Sequence, residues 1–342
     1  EQSRAWPQKV SLELPASWPA VHTSLEKGNA ATGFVAGNYD EFVDSTIVAG
    51  ELSEFEFEVD GRPYALVLSG ENAFWDGEGA ANDISSIVRA QLDFWEVDPF
   101  ERKYYFLNLL LDTFGGLEHD HSTVMMCSPW QARGRDDYVK WLGLVSHEFF
   151  HSWNVRRMRP EALSEYDYDR EVYTRELWLA EGLTSYYDNL LLFRAELIDV
   201  GDYFDLLADE FLNYETTPGR EVRSAELASF DTWIKHYKPD SNKLNSTISY
   251  YRKGAVIGFV TDMEIRRATS NRANLDTVMR DMYARYGSTG GSGAYPPGAF
   301  EDLVESTAGP DVRKLVENLL RSTTDPEIDA ALDWYGLVLN RG

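Results

Sequence analysis

The sequence predicts an α+β fold, with a β-rich N-terminal part followed by a mostly helical part, and three observations lead to that prediction. Residues 1–70 contain stretches in which apolar and polar side chains alternate, which is typical of strands with one buried face. From Trp141 onwards, apolar side chains recur mostly at helical spacing. The sequence shows no internal repeat. Strands that precede helices, rather than alternating with them, are typical of the α+β class.

The composition is that of a globular chain with a strongly acidic surface. Hydrophobic residues make up 43% of the 342 residues, and 57 acidic against 32 basic side chains give a formal net charge of -25. So large a negative charge argues against nucleic acid and anionic membranes as partners. The sequence has no apolar run long enough to cross a bilayer, which predicts a soluble chain. Cys127 is the only cysteine, which excludes an intrachain disulfide and a cysteine-based metal cluster.

The elements of the first part follow from alternation and turn residues. The stretch 9–15 alternates like an edge strand. The stretches Glu54–Val59 and Tyr64–Leu68 predict a hairpin, because Asp60-Gly61 between them is a favoured tight turn. The remaining predictions up to Cys127 are a helix over 80–97, a buried strand over 103–111 and a strand over 124–127.

The second part is predicted from helical periodicity. Trp141–Asn154 forms the first helix, which ends in the segment 155–160, and a second helix covers about 177–197. The glycine-rich stretch 288–293 is predicted to be a flexible loop. Further helices are predicted near 201–214, 249–268, 273–286, 297–307 and 310–321.

The most informative motif is His147-Glu148-Phe-Phe-His151 in the first of these helices. Side chains at positions i and i+4 lie one turn apart on the same face, so both imidazoles can converge on a zinc ion. Glu148 can reach a water molecule that such an ion holds. The alternative, an ordinary amphipathic helix with two solvated or core histidines, stays open on the motif alone.

A catalytic zinc site usually has three protein ligands and one open position, so the motif needs another donor. Glu181 is the candidate, because it lies in the apolar segment Trp178–Leu183, where an unpaired carboxylate would be costly to bury. A bound cation would remove that cost. The alternative is a glutamate that is hydrogen-bonded at a helix kink near Gly182.

Four motifs, taken together, resemble the glycyl aminopeptidase family of bacterial zinc peptidases, which are thermolysin-like gluzincins related to aminopeptidase N. The resemblance spans about Pro15 to Leu339 and implies a thermolysin-like zinc peptidase catalytic domain. By this resemblance, 1–70 is a β-rich segment continuous with the catalytic unit and 71–342 is the catalytic domain. The family's further N-terminal β domain and C-terminal PDZ domain are expected to be absent. The four motifs are Gly115-Gly-Leu-Glu118-His, His147-Glu-Phe-Phe-His151-Ser-Trp-Asn-Val, Trp178-Leu-Ala-Glu181-Gly-Leu-Thr-Ser-Tyr-Tyr and Tyr250-Tyr251-Arg-Lys-Gly254.

The resemblance implies a role for each motif in catalysis. His147, His151 and Glu181 would bind one zinc ion per chain. Glu148 would be the general base that takes a proton from the zinc-bound water and delivers it to the leaving amine. Tyr251 fits a Tyr-x-Lys-Gly pattern whose phenol donates to the oxyanion, and Tyr250 beside it is the alternative. For both tyrosines, packing in the core is also open.

The segment formed by Gly115, Gly116, Glu118 and His119 resembles the Gly-x-Met-Glu-Asn exopeptidase signature and is the predicted substrate-binding site. In that signature the glutamate binds the substrate's free α-amino group and the strand pairs with the substrate backbone. The sequence departs from the signature at His119, where the related enzymes have Asn. We expect His119 and His121 to line the groove rather than to hold a second metal ion.

The sequence therefore predicts a zinc aminopeptidase that removes an N-terminal residue, Gly or Ala by the resemblance, from peptides with a free N-terminus. The compartment does not follow from the sequence, and the bacterial cytoplasm and the periplasm both stay open. Thr184 and Ser185 are candidate hydrogen-bond partners of a zinc-binding histidine. The alternatives are a thermolysin-type endopeptidase, a non-catalytic zinc-containing peptide-binding module and an epoxide hydrolase on the same scaffold. The oligomeric state does not follow from the sequence.

Overall fold

The structure, a computed structural model, describes residues 3–29, 33–288 and 293–342. The chain divides into two units by packing. The first unit comprises Glu1–Asp93, Val97–Ser152 and Arg194–Leu197, and the second comprises Phe94–Glu96, Trp153–Phe193 and Ile198–Gly342. The division into a β-rich segment over 1–70 and a catalytic domain over 71–342 stays a prediction, because the two units reflect packing and not function.

The first unit contains most of the strands that the structure describes. In chain order its elements are β1 (Gln8–Ser11), β2 (Ala20–Thr23), β3 (Glu26–Lys27), β4 (Gly33–Ala36), α1 (Tyr39–Asp44), β5 (Ile47–Gly50), β6 (Leu52–Val59), β7 (Arg62–Ser69), α2 (Gly77–Trp95), β8 (Tyr104–Leu110), β9 (Gly115–Glu118), β10 (Ser122–Cys127) and α3 (Arg135–Phe150).

The largest sheet has five strands in the order β6-β7-β8-β10-β9. β6 and β7 form the predicted antiparallel hairpin, and Asp60 and Gly61 at its turn both have positive φ, as a tight hairpin of this kind requires. β7, β8 and β10 run parallel. Parallel neighbours need a crossover, and α2 provides it between β7 and β8.

β9 is the last strand of this sheet among the residues that the structure describes. It pairs with β10 in antiparallel register, with Gly115 opposite Met126 and Glu118 opposite Thr123. The resemblance implied a substrate-pairing strand in this segment, whereas apolar alternation alone did not predict one. An edge strand presents backbone N–H and C=O groups that another chain can pair with.

The helix α3 is anchored in the first unit on several sides. Phe149 lies in a cluster of aromatic rings, with its centroid 5.2 Å from that of Tyr104 and 5.5 Å from that of Phe106. The indole N–H of Trp141 donates to the Asn108 side chain at 3.2 Å. These contacts fix the helix that carries the two-histidine motif.

The helix α3 begins earlier and ends earlier than the sequence predicted. It ends at Phe150, and His151 is its C-cap in helical conformation, with φ -60° and ψ -17°. Trp153 and Asn154, just after the helix, contact other parts of the chain. The indole of Trp153 stacks on Trp95 with centroids 5.8 Å apart, and the amide of Asn154 donates to the backbone carbonyl of Leu179 at 3.0 Å.

The second unit is mostly helical, as predicted. The predicted helices are present with shifts of a few residues, while the short helices α6, α7, α8 and α13 were not predicted. Residues 289–292 of the predicted loop lie outside the described residues. The elements are β11 (Met158–Pro160), α4 (Leu183–Arg194), α5 (Val200–Glu215), α6 (Ala225–Phe230), α7 (Thr232–Lys235), α8 (Lys243–Ser246), α9 (Tyr250–Thr269), α10 (Leu275–Tyr286), β12 (Gly293–Tyr295), α11 (Ala299–Ala308), α12 (Pro310–Arg321) and α13 (Ile328–Trp334).

The helix α9 supplies much of the core of the second unit. Val256, Ile257, Met263 and Ile265 on it are fully buried. Such a helix is apolar on more than one face, which is expected when other helices surround it. Among the described residues, no helix is both long and apolar enough to span a bilayer.

Lys253 is a charged residue in this core. It is fully buried, and its ammonium donates to the carbonyls of Arg220 at 3.2 Å and Arg223 at 3.1 Å. Burial is the largest effect on its ionisation and lowers the pKa of Lys253 to about 8. The carbonyls that it binds belong to the segment just before α6, so Lys253 ties that segment to α9.

We predict a pH dependence of stability that comes from Lys253. An unfolded lysine has a pKa of about 10.4, so between pH 8 and about 10 the unfolded chain binds more protons than the folded chain, and stability rises with pH. In urea unfolding, the wild type should gain stability over Lys253→Met as the pH rises through this window. Lys140→Met, at an exposed site, is the control. A difference between wild type and Lys253→Met that does not change with pH would contradict the prediction.

Candidate metal and substrate site

The helix α3 presents two imidazoles on one face. The rings of His147 and His151 have centroids 4.7 Å apart and are nearly perpendicular. Both histidines are buried, and so is Glu148 between them. The side-chain amide of Gln91 on α2 donates to the carbonyl of Ser146 at 2.7 Å, which holds this part of the helix in place.

Glu181 lies in a π-helical turn, Trp178–Gly182, which leads directly into α4. The backbone N–H of Leu183 donates to the carbonyl of Trp178, five residues earlier. The sequence predicted one regular helix here, and that prediction is wrong for this turn. Apolar periodicity did not reveal it, because a single wide turn changes the spacing by only one residue. Turns of this kind are rare and are often found at functional sites.

The structure brings the three predicted metal ligands together. One ligand atom from each of His147, His151 and Glu181 lies within 4.8 Å of the others. Two imidazole nitrogens with one carboxylate oxygen are a common donor set of catalytic zinc sites, in which the fourth position stays open to water or substrate. These three residues therefore fit a zinc ion.

A second group of ionisable side chains shares His151. One ligand atom each from Glu118 on β9, Glu148 on α3 and His151 also lies within 4.8 Å of the others. Two carboxylates at such a distance repel each other when both are ionised. A cation between them, such as a protonated amine, would offset that repulsion.

Gly116 makes room for the carboxylate of Glu148. A Cβ atom placed on Gly116 would overlap the side chain of Glu148. A Cβ on Gly115, in contrast, would meet nothing within 4 Å. Both glycines lie in the substrate-binding segment that was predicted from the sequence. At Gly116 the neighbour is the side chain of the predicted general base.

His119 is held by the side chains of Asp44 and Thr46. One ring nitrogen lies 3.3 Å from Asp44 and the other lies 3.1 Å from the hydroxyl of Thr46. The backbone N–H of Asp120 also donates to Asp44, at 2.9 Å. These contacts fix the residue next to Glu118, and a direct contact of His119 with substrate stays a prediction. His121 lines a separate cavity of about 450 Å³ with Asp120 and Asp44.

The two neighbouring tyrosines differ in their surroundings. Tyr250 is buried, and its hydroxyl accepts a hydrogen bond from Thr232 at 3.0 Å. Burial raises the pKa of Tyr250 far above its ordinary value. Tyr251 is half-buried, stacks on Tyr250 with centroids 4.8 Å apart, and lines a cavity of about 210 Å³ with Arg252 and Glu210. Tyr251 is therefore the more accessible of the two residues.

His236 is a residue of this region that the sequence did not reveal. Its ring packs 5.3 Å from Tyr250 and 5.7 Å from Tyr251 between centroids. Burial lowers the pKa of His236, Lys243 lowers it further, and the charge of Glu181 opposes both. Glu181 also acts on the ionisation of Tyr250, so His236 and Tyr250 both lie within electrostatic reach of the predicted third ligand. No sequence motif surrounds His236, so its position beside the two tyrosines is seen only in the fold.

Thr184 does not bind a histidine. Its hydroxyl donates to the carbonyl of Ala180 at 2.7 Å, in the turn that carries Glu181. Ser185 lines the same cavity as Tyr251. The prediction that Thr184 orients a zinc-binding histidine is wrong, because its hydroxyl donates to Ala180 and accepts from Asn154 instead.

Known proteins resemble this chain in sequence and in fold. The model of the M61 glycyl aminopeptidase family matches residues 140–257, a span that includes the two-histidine motif, Glu181 and Tyr251. An aminopeptidase N family protein from Idiomarina loihiensis is 31% identical with a TM-score of 0.91, over 97% of this chain and 58% of that protein. No match is found among curated protein sequences.

More distant structures share the fold. The M1 zinc metallopeptidase of Deinococcus radiodurans is 16% identical with a TM-score of 0.56, over 94% of this chain and 64% of that enzyme. Legionella pneumophila aminopeptidase A, in complex with aspartic acid, is 15% identical with a TM-score of 0.57, over 89% of this chain and 33% of that enzyme. The chain thus spans less than two thirds of the length of each of these three proteins.

The family match and the similarity to the Idiomarina protein relate the chain to metallopeptidases, a class of hydrolases, and the more distant structures show the shared fold. The α+β fold class predicted from the sequence is confirmed. The resemblance to the glycyl aminopeptidase family, predicted from four motifs, is confirmed by the family match over 140–257 and by the similarity to the Idiomarina protein.

Proposed function

We propose that the chain is the catalytic part of a zinc aminopeptidase that hydrolyses the first peptide bond of its substrates. The observation that carries the proposal is the group formed by His147, His151 and Glu181, with the buried Glu148 next to it in sequence. The match of residues 140–257 to the M61 glycyl aminopeptidase family supports it. A preference for small N-terminal residues, Gly or Ala, is supported by the family resemblance alone.

His147, His151 and Glu181 would hold the zinc ion. When bound, zinc would lower the pKa of a water ligand towards ~7 and polarise the scissile carbonyl. Glu148 would accept the proton of the attacking water and deliver it to the leaving amine. The packing of Gly116 against the side chain of Glu148 supports this role, because a general base must be held in one orientation.

Glu118 would bind the protonated α-amine of the substrate. Its carboxylate lies in one group with Glu148 and His151, where a cation would offset the repulsion between the two carboxylates. Only the end of a peptide chain supplies such an ammonium group next to the scissile bond. This requirement explains why an enzyme built in this way removes single N-terminal residues and does not cut inside a chain.

The substrate backbone would pair with β9. β9 is the last strand of its sheet among the described residues, and it carries Glu118 at its end. Recognition by strand addition uses main-chain hydrogen bonds and therefore accepts many sequences. The strand is only four residues long, which suits a short segment of peptide.

Tyr251 would donate a hydrogen bond to the oxyanion of the tetrahedral intermediate. Tyr251 is half-buried, whereas Tyr250 is buried and its hydroxyl accepts from Thr232. A donor that is fixed before the reaction begins stabilises the charge as it develops. The stacking of Tyr251 on Tyr250 and His236 supplies that fixed position.

The amine requirement can be tested with a matched pair of peptides, one with a free N-terminal Ala and one with the same residue acetylated. Acetylation removes the ammonium and should lower kcat/KM by about 100-fold, since a charge-assisted hydrogen bond with its ion pair is lost. Glu118→Gln should lose most of that discrimination, and Glu58→Gln, at an exposed position of β6, should keep it. Equal cleavage of both peptides by the wild type would establish an endopeptidase instead. Binding without cleavage of either would establish a non-catalytic module.

The two tyrosines can be told apart by removing one hydroxyl at a time. Tyr251→Phe should lower kcat by about 100-fold to 1,000-fold with a small change in KM, as expected for a donor used mainly in the transition state. Tyr250→Phe should lower stability, because the Thr232 hydroxyl loses its partner, while kcat changes little. The opposite pattern of kcat values would assign the oxyanion role to Tyr250.

A further inference from the structure

The turn that carries Glu181 is fixed by buried side chains to which the proposed function assigns no role. In the π-helical turn Trp178–Gly182, successive side chains project in directions that differ from those of a regular α-helix. Glu181 is the fourth residue of this turn. The shape of the turn therefore decides the direction in which the carboxylate of Glu181 projects.

Asn154 makes the first contact with the turn. Its side-chain amide is fully buried and donates to the carbonyls of Leu179 at 3.0 Å and Ala180 at 3.3 Å. These are the two residues directly before Glu181. An amide group carries two N–H donors, and this nitrogen also lies 3.3 Å from the hydroxyl of Thr184, so one N–H is shared between two acceptors. The amide thereby fixes the backbone on the N-terminal side of Glu181.

Thr184 makes the second contact. Its buried hydroxyl donates to the carbonyl of Ala180 at 2.7 Å and accepts from the amide of Asn154 at 3.3 Å. The carbonyl of Ala180 thus has two side-chain donors, which also contact each other. Hydrogen bonds in a buried network reinforce one another, so the loss of one member weakens the others.

The rest of the turn is also restrained. The backbone N–H of Trp178 donates to the buried hydroxyl of Ser229 at 3.0 Å. At the other end, a Cβ placed on Gly182 would lie 2.7 Å from the carbonyl of Tyr250, and one on Gly254 would lie 2.6 Å from the carbonyl of Trp178. Backbone therefore packs on backbone between this turn and α9, which leaves the turn little room to shift.

We propose that Asn154 and Thr184 are positioning residues that hold the turn Trp178–Gly182 in its π-helical shape and so direct the carboxylate of Glu181 towards the metal ion. This inference rests on the proposed zinc site. Asn154 follows His151 by three residues, so the segment that ends the two-histidine helix also fixes the turn of the third ligand. Groups that orient metal ligands in this way typically change metal affinity by about 10-fold to 100-fold when they are removed.

Two substitutions remove the contacts with little change in volume. Asn154→Asp replaces the donating amide with an accepting carboxylate, and Thr184→Val replaces the hydroxyl with a methyl group. The zinc Kd of the full chain, measured by competition with a chromophoric chelator, should rise by about 10-fold to 100-fold in both. Thr184→Ser keeps the hydroxyl and should restore most of the affinity. Asn245→Asp makes the same change of charge at an exposed residue and should leave the Kd unchanged.

The melting temperature of the zinc-free protein separates positioning from folding. A merely structural role would lower that temperature and leave the zinc Kd unchanged when it is measured well below melting. The proposal would be overturned if Thr184→Val and Thr184→Ser bound zinc with equal affinity. This comparison tests the positioning role even if Asn154→Asp does not fold. A wild type that binds no zinc would instead overturn the proposed function. If the wild type binds zinc and hydrolyses peptides, and Asn154→Asp and Thr184→Val bind zinc as tightly as the wild type does, only the positioning role would be overturned.

Discussion

The repulsion among carboxylates around His151 is the constraint on which the site depends. Glu118 and Glu148 lie in one group with this histidine, and Glu181 lies with it in another. Ionised carboxylates in a partly buried place destabilise each other unless a cation compensates them. A zinc ion would compensate Glu181, and the ammonium group of a substrate would compensate Glu118. In the proposed function, the same electrostatic demand explains both the cofactor and the preference for a free N-terminus.

Glycines allow these carboxylates to lie close together. Gly116 leaves the space that the carboxylate of Glu148 fills, and Gly182 meets Gly254 where the π-helical turn packs on α9. A side chain at any of these positions would push a catalytic group or its supporting turn aside. The buried hydrogen bonds of Asn154 and Thr184 act on the same turn from other directions. The geometry of the site thus depends on these glycines as much as on the side chains that form hydrogen bonds.

The sequence predicted the local features well, because each depended on residues that lie close together in the chain. The hairpin turn at Asp60-Gly61 and the spacing of His147 and His151 are of this kind. The grouping of Glu181 with the two histidines followed from the family resemblance, but other features that depended on tertiary packing were missed. The π-helical turn at Glu181 differs from an α turn by one residue, which periodicity does not resolve. His236 reaches the two tyrosines through the fold alone, and the contact of Gly116 with Glu148 joins a strand to a helix.

The proposed function depends most directly on Glu148. Zinc content and hydrolysis of alanyl and glycyl chromogenic amides should be measured for the wild type and for Glu148→Gln, each before and after chelation and after zinc is restored. We expect one zinc ion per chain in both proteins. Hydrolysis by the wild type should stop when the chelator removes zinc and return when zinc is restored. Glu148→Gln should show no hydrolysis in any of these states. Hydrolysis by zinc-loaded Glu148→Gln at the rate of the wild type would contradict the proposed function.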